Sequence, residues 1–118
     1  SGTASNALAL SCFCSSIGAV LCHEEAHIAR DERGAPEFFS GGGKLQLLTG
    51  FGARIDREAL ETALGQINPG FVHGTPAEVL SLTNLTECGT AYRAAEIALY
   101  ALLLVLAWRT EASDDVQG

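Results

Sequence analysis

Positive charge is scarce in this 118-residue sequence: seven lysines and arginines stand against fourteen acids, for a formal net charge of −7. A phosphate backbone repels such a chain, so nucleic-acid binding is not expected. An anionic membrane surface is disfavoured on the same ground. Long apolar runs are missing too. The longest, residues 97–108, lies between Glu96 and Arg109 and falls well short of the roughly twenty residues needed to cross a bilayer. It reads instead as a buried helix or a subunit contact. The opening Ser1-Gly2-Thr3 has no basic stretch around it, so no signal peptide is expected.

Apolar residues make up 47% of the chain, enough for a core, and the length suits one domain. An even set of four cysteines allows two disulfides. However, Cys12 and Cys14 lie in an apolar, helical-looking segment where cysteine behaves as a small hydrophobe. Their Cys-x-Cys spacing is not that of a zinc or redox pair. Reduced thiols in a cytoplasmic protein are therefore the expectation.

Small polar residues at 1–6 followed by Ala7-Leu8-Ala9-Leu10 predict a helix start, ended near Ser15-Ser16 with Gly18 beyond. Free N–H groups in such a first turn suit an anion, phosphate above all, although an ordinary N-cap explains the same residues. Residues 17–22 form an apolar run without polar alternation, the pattern of a strand covered on both faces. Pro36 sits in the first turn of a short helix within 34–39, and Ser40-Gly41-Gly42-Gly43 breaks it. A second strand is predicted at 44–48, with a turn at 49–52. A helix follows at 56–64, with Asp56 as its cap and Leu60 and Leu64 on one face. Asn68-Pro69-Gly70 stops it, and Val72-His73 is a candidate approach to a third strand at 79–83. A loop at 84–92 leads to a last helix at 93–109. Alternation of strand and helix argues for α/β architecture with mostly parallel strands.

Candidate chemistry concentrates in residues 21–37, which hold two of the three histidines and a dense set of acids. His23-Glu24-Glu25-Ala26-His27 fits H-E-x-x-H. On a helix that spacing would place His23 and His27 on one face as zinc ligands, with Glu24 as general base. The apolar run before His23 reads as a strand, though, so the helical face would not exist yet. The alternatives are a histidine, His27, lying flat against a planar cofactor, and a solvated acidic turn that only caps a helix.

Five pieces in order resemble the pyridoxal-phosphate-dependent threonine aldolases of the β-eliminating lyase group. They are residues 1–10 (Ser-Gly-Thr-Ala-Ser-Asn-Ala-Leu-Ala-Leu), 22–28 (Cys-His-Glu-Glu-Ala-His-Ile), 31–39 (Asp-Glu-Arg-Gly-Ala-Pro-Glu-Phe-Phe), 80–84 and 86–92. The resemblance implies a three-layer α/β sandwich with a mostly parallel sheet, part of the large domain of the aspartate-aminotransferase-like fold. It implies pyridoxal phosphate as cofactor, its phosphate on Ser1, Gly2 and Thr3 and its ring stacked on His27, which is also the candidate catalytic residue. No metal is implied, and His23 becomes a surface or loop residue without a role.

The family also carries a lysine that holds the cofactor covalently, an Asp beneath the pyridine nitrogen and an Arg for the substrate carboxylate. The one lysine, Lys44, lies on a predicted strand outside these pieces, and no Asp-Gly-Ala-Arg-like segment is present. The likeness fades within 101–108. The chain thus reads as the middle of an aldolase with a foreign or frame-shifted end: one domain over 1–110, then a polar, disordered tail over 111–118. The parent reaction cleaves a β-hydroxy amino acid to glycine and an aldehyde, and turnover by this chain alone is expected near background. The alternatives are a non-catalytic protein that self-associates through the 93–109 helix, and a zinc hydrolase.

Overall fold

Ala19-Val20-Leu21-Cys22-His23 is buried at every position, and a strand with no solvent face must be flanked on both edges and covered on both sides. The computed structural model, which describes residues 1–65 and 75–117, meets both conditions. This strand, β1 (Ala19–His23), is central in a three-stranded parallel sheet of order β2-β1-β3, with β2 at Lys44–Leu48 and β3 at Ala77–Leu80. The second strand lies where the sequence predicts it. β1 starts two residues late because 15–18 close a turn through Gly18 N–H to Ser15 O. β3 starts two residues early because its pairing begins with Ala19 opposite Ala77. The Val72-His73 approach and the Asn68-Pro69-Gly70 stop lie outside the described residues.

Alternation within β1 sorts the core into two halves. Val20 and Cys22 face α1 (Gly2–Phe13), in a cluster with Leu10, Cys14, Ala26 and Ile28, and the short α3 (Ala35–Phe39) packs against α1. Leu21 faces α4 (Arg57–Gly65) and α5 (Ala94–Gln117), with Leu48, Ile55, Leu60, Leu64, Tyr92 and Tyr100. The result is helix, sheet, helix: three layers. On the second face, Tyr92 Oη accepts from Ile55 N–H at 2.7 Å and Tyr100 Oη donates to Ile55 O at 2.8 Å, so two phenols hold one residue by its backbone.

Each end of α5 has a local cause. Glu96 accepts from Arg93 N–H at 3.1 Å, as a carboxylate does three residues into a helix. The other end departs from expectation: the helix continues through Gln117 and takes in the segment read as a polar tail. Residues 110–117 contain neither proline nor glycine, and extending a formed helix is far easier than starting one. Among the described residues, no helix is long and apolar enough to cross a membrane.

Two close approaches fix loop geometry. The β1–β3 register slips after Ala77, making Glu78 the extra residue of a bulge. Its carboxylate accepts from Ser15 N–H at 2.6 Å and Ser15 Oγ at 2.8 Å. A Cβ on Gly18 would stand 2.4 Å from that carboxyl carbon. After β2, a Cβ on Gly50 would lie 1.8 Å from Arg54 O and 2.5 Å from Asp56 N, both backbone atoms that cannot swing aside. Gly50→Ala is therefore expected to lower unfolding stability by about 1–3 kcal/mol, the usual range for overpacking. Gly65→Ala, where a Cβ meets nothing within 4 Å, should be neutral or stabilising within about 1 kcal/mol. Denaturant midpoints of the two variants check this; equal midpoints would refute the steric argument.

Candidate functional site

In an open parallel sheet, ligands bind beyond the carboxyl ends of the strands where the strand order reverses. With order β2-β1-β3, the chain leaves β1 toward one side and returns on the other, so that point lies at the ends of β1 and β3. A short connection, residues 14–18, joins α1 to β1, and the helix rises about 18 Å along its twelve residues. Its N-terminus therefore reaches the same carboxyl edge. Lys44 opens β2 opposite Ala19. Across a strand of this length it is roughly 13 Å from that edge.

Ser1 is the N-cap of α1, its Oγ accepting from Ala4 N–H at 3.3 Å. The first backbone bond of the helix runs from Ser5 N–H to Ser1 O at 3.1 Å. The N–H groups of Gly2 and Thr3 thus have no acceptor within the helix, and a Cβ at Gly2 would find open space. The Ser1 hydroxyl, occupied as acceptor, keeps its proton for donation outward.

His27 begins α2 (His27–Arg30). Its Nδ1 lies 2.6 Å from Glu32 Oε2, and its side chain is 44% exposed whereas that of Glu32 is 0%. Asn6 Nδ2 donates to the same Oε2 at 2.8 Å. One carboxylate oxygen thereby joins the ring of His27 to α1, about one turn from Gly2. The hydrogen bond to Glu32 raises the His27 pKa above its ordinary 6.5 against an opposing loss of solvation, and the charges of Glu32, Asp31 and Glu87 each add a smaller push upward. Sequence reading names His27 and the phosphate turn but misses Glu32 and Asn6. Glu32 lay among five acids in 21–37, and nothing local distinguishes the one that is buried.

His23 corrects an expectation. It is not a surface residue: it is 4% exposed, the last residue of β1, and both ring nitrogens are engaged. Nε2 lies 2.8 Å from Gly50 O, and Nδ1 accepts from Glu25 N–H at 3.0 Å. That fixes the neutral tautomer with the proton on Nε2 and makes His23 a clamp between two loops. The zinc arrangement does not form. His23 lies on a strand and His27 starts a helix, so there is no shared helical face, and His23 has no lone pair left for a metal.

Beside His23, the residues Ala26, Ser81, Thr83, Thr86 and Glu87 enclose a cavity of about 10 Å³, room for a single water. The Thr86 hydroxyl accepts from Cys88 N–H at 3.3 Å and Thr90 N–H at 3.1 Å, which folds the loop that carries Glu87. Larger grooves, of about 430 Å³ between β2 and α4 and about 270 Å³ beside Phe51 and Tyr100, are open and include neither His27 nor α1. Size alone would mislead here; the donor chemistry lies at the carboxyl edge.

The donor set bears on the cofactor. The helix start offers N–H and hydroxyl donors to an anion. The His27 ring is partly open to solvent, and its Nε2 has no protein partner among the described residues. These residues fit the phosphate and one ring face of pyridoxal phosphate. The one lysine of this sequence, Lys44, is at the opposite end of the sheet from them.

Comparison with known proteins bears on the family and the fold. The chain is 41% identical over 97 residues to a low specificity L-threonine aldolase of a Pseudomonas species, and 43% identical over the same length to that of Pseudomonas aeruginosa. Each match covers 81% of this chain, and the chain spans 27% of the length of either relative. The solved structure of Leishmania major threonine aldolase superposes with a TM-score of 0.74 at 26% identity, over 84% of this chain and 29% of that one. The three layers are accordingly part of the large domain of the aspartate-aminotransferase-like fold. Residues 1–102 match the family model of the beta-eliminating lyases, and the chain belongs to that family.

Proposed function

We propose that this chain supplies the phosphate cradle and one ring face of a pyridoxal-phosphate site in an aldolase that splits β-hydroxy amino acids, threonine among them, into glycine and an aldehyde. The single observation that carries the reading is the Glu32 bridge, which sets the His27 ring beside α1 about one turn from its unpaired N–H groups. The threonine aldolase relatives support the substrate class.

When bound, the cofactor supplies an electron sink for the carbanion that cleavage leaves. The chain's own residues bind and orient. Gly2 and Thr3 offer backbone N–H groups, and Ser1 and Thr3 hydroxyls, to the phosphate, aided by the positive end of α1. The His27 imidazole would hold one face of the ring, and its Nε2, without a protein partner among the described residues, would be placed to hold or move a proton. With its one lysine at the far end of the sheet, the given sequence binds the cofactor but does not turn over alone. Four free thiols fit the reducing cytosol.

A second property is supported by α5. Ala98 and Ala101 are exposed, and Leu102 and Val105 are each 53% exposed. At helical spacing these four make an apolar stripe turned away from the core, and such stripes mark association surfaces. The chain then forms a homo-oligomer through this helix.

Two measurements test these readings. Adding pyridoxal phosphate should give a saturable free-aldehyde absorption spectrum, with glycine release from threonine at background. His27→Ala should weaken binding between about two- and tenfold, as loss of a ring contact does. A spectrum that never saturates would remove the cradle, and robust turnover would refute the argument from the distant lysine. Light scattering at micromolar concentration should show an oligomer that the Leu102→Lys, Val105→Lys double variant dissociates; a wild-type monomer would refute the α5 interface.

A further inference from the structure

We infer that Glu32 is a positioning residue: it keeps a proton on His27 Nδ1, turns Nε2 outward, and through Asn6 locks that ring to α1. The inference rests on the proposed role of His27 for its meaning in catalysis, but not for its geometry.

The observation is a carboxyl group taken wholly out of water. Acidic side chains are almost never fully buried unless paired, and the Glu32 side chain is 0% exposed. Its Oε2 meets His27 Nδ1 at 2.6 Å and Asn6 Nδ2 at 2.8 Å. A carboxylate only accepts, so both partners must donate. His27 therefore carries its Nδ1 proton whether the ring is neutral or charged. If neutral, Nε2 has a lone pair and is a base; if charged, Nε2–H is an acid. Asn6 must turn its amide nitrogen, not its oxygen, toward Glu32, which fixes that side chain as well.

The other oxygen, Oε1, is buried and has no hydrogen-bond partner among the described residues. A buried anion that is short of donors is costly unless a positive charge stands close by. The groups acting on His27 from the packed elements are Asp31 at the end of α2, Glu32 just beyond it, and Glu87 in the loop after β3, all acids. The His27 imidazolium is thus the cation that this corner needs. An acidic chain otherwise ill suited to an anionic ligand gains one positive group at the place where the ligand's ring would rest.

The sign of the pH dependence follows. Because His27 binds its proton more tightly in the folded state than its ordinary 6.5, the stabilisation from the pair is fully present below about pH 6.5. It is lost as pH rises through the folded His27 value. Glu32→Gln removes the charge with little change of shape, so the stability gap between wild type and this variant should be widest at mildly acidic pH and narrow as pH rises through the folded His27 value.

The decisive experiment is ring-nitrogen NMR of the whole chain without cofactor, the His27 signals assigned with His27→Gln. In the wild type, His27 should hold its proton on Nδ1 throughout and titrate above 6.5. In Glu32→Gln the midpoint should fall and the Nε2–H tautomer should gain. Asn6→Ala should free the ring from α1 while leaving the raised midpoint, which separates the tether from the charge. A wild-type His27 that titrates at or below 6.5, or a Glu32→Gln titration identical to wild type, would overturn the inference. Should Glu32→Gln fail to fold by circular dichroism, the wild-type midpoint and tautomer still decide. None of these readouts involves pyridoxal phosphate. A chain that fails to bind cofactor but shows the shifted His27 sinks the functional proposal alone; one that binds it with an unshifted His27 sinks this inference alone.

Discussion

Complete burial of β1 is the constraint on which the rest of the structure depends. Five successive buried residues, all paired with β2 and the first three also with β3, leave no face for water. Helices must therefore cover both sides, and the chain can meet solvent only at the strand ends. His23 closes the strand, and its two engaged nitrogens pin the loops after β1 and β2 together. Within four residues the chain turns from the buried ring of His23 to the half-open ring of His27. A rigid strand feeding a short, clamped loop is how a scaffold holds a functional side chain to a defined position.

Charge at the carboxyl edge poses a problem that the fold answers locally. The chain carries a net −7, and Asp31, Glu32 and Glu87 all act on His27. An anionic ligand approaching such an edge would meet repulsion. Two features oppose it: the positive end of α1, where backbone N–H groups are unpaired, and an imidazole whose proton is held by a buried acid. Both are linked through Glu32 and Asn6, so loosening either one would loosen the other.

Legibility in the sequence tracked how local each cause was. The second strand and α3 were readable from an apolar run and from Pro36 in a first turn, and α1 from its small polar opening. Two strand boundaries slipped because Ser15 turns the chain before β1 and because the β3 register is set across the sheet. α5 ran past its expected end because composition suggested a tail while an established helix had no breaker to stop it. His23 and Glu32 were misjudged for one shared reason. Both are polar residues whose burial is decided by partners distant in sequence, Gly50 in one case and Asn6 in the other. The helix start was legible as a possible anion site from its own residues, whereas His27 became the preferred candidate only through family resemblance, which carries three-dimensional information that periodicity lacks.

The account stands on one spatial claim: the start of α1 and the ring of His27 form a single binding place. Titrating the labelled chain with pyridoxal phosphate while following the backbone amides of Gly2 and Thr3 and the ring of His27 by NMR tests it most directly. The account predicts that all three move together and saturate at one concentration. Amides that respond while the His27 ring stays unmoved would contradict it.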